Sequence, residues 1–408
     1  MAAAPIWLIR FHSDIPMFAA PLFFRFGMLA VVACRLAAAE PAPFFLLSWG
    51  TPGTGPGQFN LPTGLALAPS GKVYVADRDN HRIQVFDSDG RYLFAWGANH
   101  LLSPVAVAID PDGSVFVCDR EADTIYKFDP SGNYLTQWGS QGSGPGQFLN
   151  PLGLDVDPAG NVYVADSDNN RIQKFTNTGT YISDFGEPGT GPGQFSGPRD
   201  INASGSVLYV ADWGNSRIQK FDFNGTFLLE WGSWGSAAGQ FNHPEGVATD
   251  RFGSVYVFDS RNYRIQKFDS DGNFLTKWGT YGSAPGQFNT TTDGAIDATG
   301  NIYVPDWKNN RVQKFGLCTV SVNASYSGGV LTTNFVLGLA EPSTWTAWLD
   351  QGTSRFLLWS KSLPRIATPV QFEPTIPLAL PAGDASISTQ IDLAPWGTIC
   401  TAATAVVR

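Results

Sequence analysis

One aspartate sets the period of this chain. It recurs at Asp77, Asp119, Asp166, Asp212, Asp259 and Asp306, at steps of 42 to 47 residues. A full unit reads "GQFNLPTGLALAPSGKVYVADRDNHRIQVFDSDGRYLFAWG". It holds four short apolar runs, "GLALA", "VYVAD", "RIQVF" and "YLFAWG", separated by Pro, Ser, Gly and Asp, which favour tight reversals. Four strands per unit at this period predict propeller blades, and six aspartates predict six of them. The expected fold class is all-β. The glycine-rich "GTGPGQF" at Gly53–Phe59 raises the question of a phosphate loop, but a phosphate loop would occur once and open a helix. Here "GQF" returns at Phe148, Phe195, Phe241 and Phe288, and each copy precedes a short apolar run without helical spacing. It is punctuation in the repeat, and its Phe is expected to anchor one blade on the next.

A propeller must close. Units end in "WG" at Trp96, Trp138, Trp231 and Trp278, with Phe185 as the variant, and these aromatics are expected in the core. The sixth unit lacks such a strand after "RVQKF". "FFLLSWG", with its tryptophan at Trp49, is expected to supply it, leaving no free sheet edge around the ring. The phrase "VYVAD…N.RIQKF" resembles the NHL repeat over Phe44 to Phe315, and five of six copies carry the Asp, Asn and Arg together. The resemblance implies a six-bladed NHL propeller, assigned here to residues 43–316. Blade 2 is degenerate: "DREADTIYKF" has Ala122 for the Asn and Thr124 for the Arg. The recurring Asp–Arg pair, such as Asp77 with Arg82, should face across one hairpin as a rim ion pair. Residues 317–408 change pattern, and their alternating runs predict a small C-terminal β-domain of sandwich type.

The formal charge of −9 and pI of about 4.9 argue against nucleic-acid partners, which require basic surface. Residues 1–39 read as a signal peptide: Arg25, an apolar run from Phe26 to Ala33, and "AAA" before Glu40. The run is too short to span a membrane alone. "VVAC" also fits lipid attachment at Cys34, and Met17 is an alternative start. The expected location is therefore secreted or periplasmic, with lipid anchoring at Cys34 as the variant, and the protein is expected to be a monomer. Export permits a disulfide, and Cys318 with Cys400 is the natural pair, while Cys118 stands where other repeats have Ala and reads as a small buried residue.

What repeats is architecture, so departures from the repeat are the functional candidates. The position after the repeat Asp reads Arg78, Arg120, Ser167, Trp213, Ser260 and Trp307. Three places on come His81, Asp123, Asn170, Ser216, Tyr263 and Asn310. At the start of the innermost strands, the usual small residue becomes Asp200 in blade 4 and Asp293 in blade 6, the blades that carry Trp213 and Trp307. Glu245 and Arg199 are close by in sequence. The candidate ligand-binding set is thus Arg78, Arg120, Asp200, Trp213, Glu245, Tyr263, Asp293 and Trp307, on the face carrying the turns between second and third strands. Acids beside aromatics at a channel mouth suit a peptide, protein or carbohydrate, with charge selection for cationic or hydroxyl-rich ligands. The competing interpretation is a polar rim with scattered aromatics.

Catalytic constellations are weak. NHL-like lyases that cleave peptidyl-hydroxyglycine use a His-bound metal, which needs convergent histidines. His81, His100 and His243 share no strand position. Related lactonases hold a divalent ion with acidic and Asn ligands, and Asp200, Glu245 and Asp293 could imitate that set. No RING-type Cys/His pairing occurs. The expected function is an exported binding scaffold needing no cofactor, with a metal-dependent hydrolase or lyase as the alternative.

Overall fold

The structure, a computed structural model, describes residues 42–316 with their side chains and, between Thr319 and Val406, the strands by their backbone. The expected signal peptide, Cys34 and the Cys318–Cys400 pair lie outside the described residues. Among the described residues no helix is long and apolar enough to cross a membrane.

Blade 3 shows how a unit folds. Pro151–Val156, Val162–Asp166, Arg171–Phe175 and Tyr181–Phe185 form a four-stranded antiparallel meander, innermost strand first. The β-branched and aromatic residues of "VYVAD" favour this extended state. All five residues from Val162 to Asp166 are buried, because this strand presents one side chain set to each neighbouring blade. Apolar clusters accordingly sit at the seams rather than within blades. One joins Phe116, Cys118 and Ile125 of blade 2 to Phe148, Val164 and Phe175 of blade 3. Another joins Tyr163 and Ile172 to Phe195, Val210 and Phe221 of blade 4. The "GQF" phenylalanines are fully buried in these seams, as expected. Cys118 is buried and free.

The repeat aspartate is buried, not at a rim. Asp166 has no exposed surface. Its Oδ1 accepts the Leu149 N–H at 2.8 Å, and its Oδ2 accepts from Asn169 Nδ2 (2.9 Å), Arg171 Nε (2.8 Å) and Gln173 Nε2 (3.0 Å). These three donors reach onward into the glycine-rich loop. Asn169 donates to Gly142 O, Arg171 to Gly144 O and Gln147 O, and Gln173 to Gln147 O. The loop covers the ion pair, which is why a pair read as superficial is desolvated. Gly142 is needed there: its φ is +153°, and a Cβ would lie 2.4 Å from Gln147 Oε1. The same network recurs around Asp77, Asp212, Asp259 and Asp306. Blade 2 lacks the cation. Asp119 instead accepts the N–H groups of Leu102, Ser103 and Ala122, and burial raises its carboxyl above the usual range.

The ring closes as the sequence predicts. Phe44–Trp49 pairs antiparallel with Arg311–Gly316 as the outer strand of blade 6, with Phe44 opposite Gly316 and Trp49 opposite Val312. The blade-ending aromatics cross the outer seams: Trp49, Trp96, Trp138, Phe185 and Trp231 each lie on a hairpin glycine of the next blade, and Trp278 packs on Phe315 of blade 6. At Gly179 (φ +86°) a Cβ would meet the Trp138 ring at 2.7 Å. In the C-terminal region, Thr319–Ser327, Val330–Gly338, Val370–Phe372 and Thr375–Pro377 form one antiparallel sheet. Ser343–Gln351, Ser354–Leu363, Ala385–Leu393 and Gly397–Val406 form a second. The packing of these sheets into a sandwich lies outside what the structure describes.

Two outcomes test this architecture. Asp166→Ala removes the buried acceptor shared by Asn169, Arg171 and Gln173 and should cost about 3–5 kcal/mol, measured by denaturant unfolding. Deleting residues 43–50 opens blade 6, and calorimetry should show a lower Tm than for trimming an exposed hairpin. Unchanged melting of the deletion variant would mean the segment does not close the ring.

Candidate functional site

The register of each blade brings the candidates to one face. Pro62 pairs with Asp77, Pro198 with Asp212 and Pro244 with Asp259, so the start of every inner strand lies beside the residue following the repeat Asp. At the centre of this face is a cavity of about 150 Å³. Thr63 and Arg78 line it from blade 1; Val105, Ala106 and Arg120 from blade 2; Leu152 from blade 3; Arg199 and Asp200 from blade 4; Glu245 from blade 5; and Thr292, Asp293 and Trp307 from blade 6. Six of the eight candidates, Arg78, Arg120, Asp200, Glu245, Asp293 and Trp307, are therefore brought together at the channel mouth.

Trp213 and Tyr263 do not line it. Trp213 occupies the same repeat position as Trp307, but its ring is enclosed by cations. The guanidiniums of Arg199 and Arg261 lie 4.5 and 5.5 Å from the ring centroid, and His243 lies at 4.3 Å. Tyr263 sits at a position that elsewhere fastens one blade to the next. Asp123 Oδ1 accepts the Asn150 N–H, Asn170 Oδ1 that of Gly197, and Asn310 Oδ1 that of Leu61. His81 Nδ1 bonds the Leu102 carbonyl. These residues are left-handed, which Asn and Asp tolerate best. Tyr263, at φ +54°, meets exposed Tyr281 edge-to-face at 4.8 Å between ring centroids.

The acids of the channel tie seams together. Asp200 Oδ2 accepts the Val247 N–H of blade 5 at 2.9 Å. Asp293 Oδ2 accepts the Leu65 N–H of blade 1 at 3.2 Å, and its Oδ1 accepts Gly294 N–H at 2.6 Å. Asp155, which its sequence did not distinguish, accepts from Ala203 N and Asn202 Nδ2 of blade 4. The small residues alternating with the acids have a steric cause. A Cβ on Gly153 would lie 2.5 Å from Asp200 Cα, and one on Gly246 would lie 2.8 Å from Asp293 Cα. Arg199 is the principal functional candidate left outside the predicted set. Its only sequence signal is its place directly before Asp200.

Burial dominates the electrostatics. It pushes the Asp293 carboxyl up to about 7 and that of Asp155 to about 6, against the opposing backbone hydrogen bonds. Burial, then the charge of Asp293, pushes Asp200 well up. Burial also raises Glu245, although Arg199, Arg261 and Lys308 oppose it. Above these acids stand three guanidiniums, so cation selection by Asp200 and Asp293 loses much of its basis. Among the described residues no group of three or more His, Cys, Asp or Glu is placed to hold a metal ion.

A folded-state pKa above the unfolded value gives stability that is present below the unfolded value and lost as pH rises through the folded one. For Asp293 that window runs from about 4 to about 7. Asp293→Asn keeps an acceptor for the Leu65 N–H and removes the loss. At pH 8 the variant should be more stable than the parent by roughly 1–3 kcal/mol, and the gap should close toward pH 4. Calorimetry across this range checks it, and a gap independent of pH would contradict it.

Family comparison agrees with this architecture. The family model described as NHL repeat matches residues 59–86, 148–175 and 241–268, within blades 1, 3 and 5. NHL repeat-containing protein 3 of Homo sapiens is 53% identical over 55 residues, covering 13% of this chain and 16% of that protein. The E3 ubiquitin-protein ligase TRIM32 of Homo sapiens is 52% identical over 46 residues, 11% of this chain and 7% of its own length. The chain thus spans under a fifth of these relatives. Among solved structures, a protein of unknown function from Bacteroides thetaiotaomicron has a TM-score of 0.53 at 20% identity, covering 68% of this chain and 76% of that one. A putative gluconolactonase has a TM-score of 0.51 at 13% identity, covering 68% and 97%. These likenesses carry the fold alone. With repeats matched in sequence and six blades closed in space, the chain carries NHL repeats within a six-bladed β-propeller.

Proposed function

We propose that this protein is an exported binding scaffold that takes a peptide, protein or carbohydrate ligand at the channel mouth. One observation carries the reading: most residues lining the cavity occupy positions where the repeat gives no fixed residue. The five Asp–Asn–Arg–Gln networks are consumed in holding loops, whereas Arg78, Arg120, Arg199, Glu245 and Trp307 vary from blade to blade and converge on one cavity. Concave sites with few polar groups and adjoining aromatic surface are the usual form of a ligand pocket. The apolar segment ahead of Glu40 supports export.

The hydrolase or lyase alternative has less support. Asp200, Glu245 and Asp293 share the cavity, but Asp200 and Asp293 use oxygens on seam N–H groups. The scaffold reading is tested by a peptide and glycan array on the whole protein, followed by substitution. Trp307→Ala should weaken a captured ligand by roughly 30-fold, the effect of removing a central aromatic, while leaving the Tm near that of the parent. Trp138→Ala should lower the Tm, because that ring packs in a seam. Normal binding by Trp307→Ala would move the site elsewhere.

A further inference from the structure

We infer that the channel mouth is a carboxylate site, built to take one acidic side chain or a C-terminal carboxylate of a peptide. The inference rests on the proposed binding role and names its ligand chemistry. Its first support is a contrast among arginines. Arg82, Arg171, Arg217, Arg264 and Arg311 are each saturated by the repeat aspartate and by loop carbonyls. The arginines of the cavity are not. Arg120 is exposed; its backbone N–H donates to Ser103 O, but its guanidinium has no hydrogen bond or ion pair among the described residues. Arg199 is largely buried, its Nε has no hydrogen-bond partner, its guanidinium lies over the face of Trp213, and Glu245 is its principal neighbouring negative charge. Arg78 has one exposed partner, Asp79, and lies 5.2 Å from the Trp307 ring centroid. In an acidic chain, three guanidiniums converging from three blades, with only exposed Asp79 beside Arg78 and Glu245 beside Arg199, mark a place for an external anion.

The second support is charge balance. Glu245 offsets one guanidinium. Asp200 and Asp293 share the cavity, and burial together with their mutual repulsion disfavours carrying two charges there. The pair is thereby held back from carrying both negative charges, and the three guanidiniums leave the cavity positive on balance. A single carboxylate completes the balance, whereas a dianionic phosphate would be pressed against the acids. The third support is size and lining. About 150 Å³ accepts a carboxylate with its methylene stem, and Val105, Ala106 and Leu152 provide apolar wall. Bidentate guanidinium–carboxylate pairing suits this geometry better than a hydroxyl would.

The test is isothermal titration of the full chain with four pentapeptides. One has a central Glu and capped ends, a second has Gln in its place, a third is neutral with a free C-terminal carboxylate, and a fourth carries phosphoserine. Binding of the Glu or free-carboxylate peptide, with the Gln peptide at least roughly tenfold weaker, supports the inference and identifies the source of the carboxylate. Arg120→Gln and Arg199→Gln should each weaken that binding by roughly tenfold or more. Because Arg199 is packed, its variant is judged only if its Tm matches the parent; Arg120 is exposed and carries the test otherwise. Equal binding of Glu and Gln peptides, preference for phosphoserine, indifference to both substitutions, or no binding of any of the four overturns the inference. A neutral array ligand lost in Trp307→Ala would leave the scaffold reading standing while this one fell. No ligand from either experiment would remove both.

Discussion

A buried carboxylate holds this propeller together. Each repeat aspartate is out of water and would be costly there alone. In five blades it is tolerated because an Asn, an Arg and a Gln from its own hairpin point at it, and because those same groups then satisfy the carbonyls of the loop that covers it; in blade 2 backbone N–H groups take their place. The loop in turn places its phenylalanine in the seam. One charged group therefore links hairpin, loop and inter-blade core. Removing a single partner would leave the others unsatisfied, which makes the unit cooperative rather than a sum of contacts.

The site follows from what this network leaves free. Because the Asp–Arg pairs face the loops, the residue after the Asp stands outside that network, and in blades 1, 2 and 6 it lines the channel mouth. The inner strands approach so closely that glycine alternates with a larger residue around the ring, and at Asp200 and Asp293 that residue is an acid bonded across the next seam. The floor of the cavity is thus structural, and its charged wall is not.

How much of this was legible depends on repetition. The blade count, the closing strand at Phe44–Trp49 and the seam phenylalanines were readable because each was stated several times or was conspicuously missing from one unit. The burial of the Asp–Arg pair was not, since a spacing of five residues places two groups on a hairpin without saying what covers them. Asp200 and Asp293 stood out as departures, but their hydrogen bonds run to backbone N–H groups about 47 and 228 residues away, which no local pattern encodes. Trp213 and Trp307 share a repeat position, yet only one lines the cavity. The difference lies in Arg199, Arg261 and His243, brought to Trp213 by neighbouring strands and turns. Tyr263 falls outside the cavity, and the fastening role that its position has in other blades is visible only once the adjoining blade is in place.

The closing strand has a mechanical corollary. Phe44 lies opposite Gly316, so the chain enters and leaves the closing pair at the same end. Tension between the segments flanking the ring would not load that pair in shear, where all its hydrogen bonds resist together. It would peel them one after another, beginning at Phe44 and Gly316 and ending near Trp49. A ring that is hard to open by heat, because closure protects every seam, would then be comparatively easy to open by pulling on its two tethers.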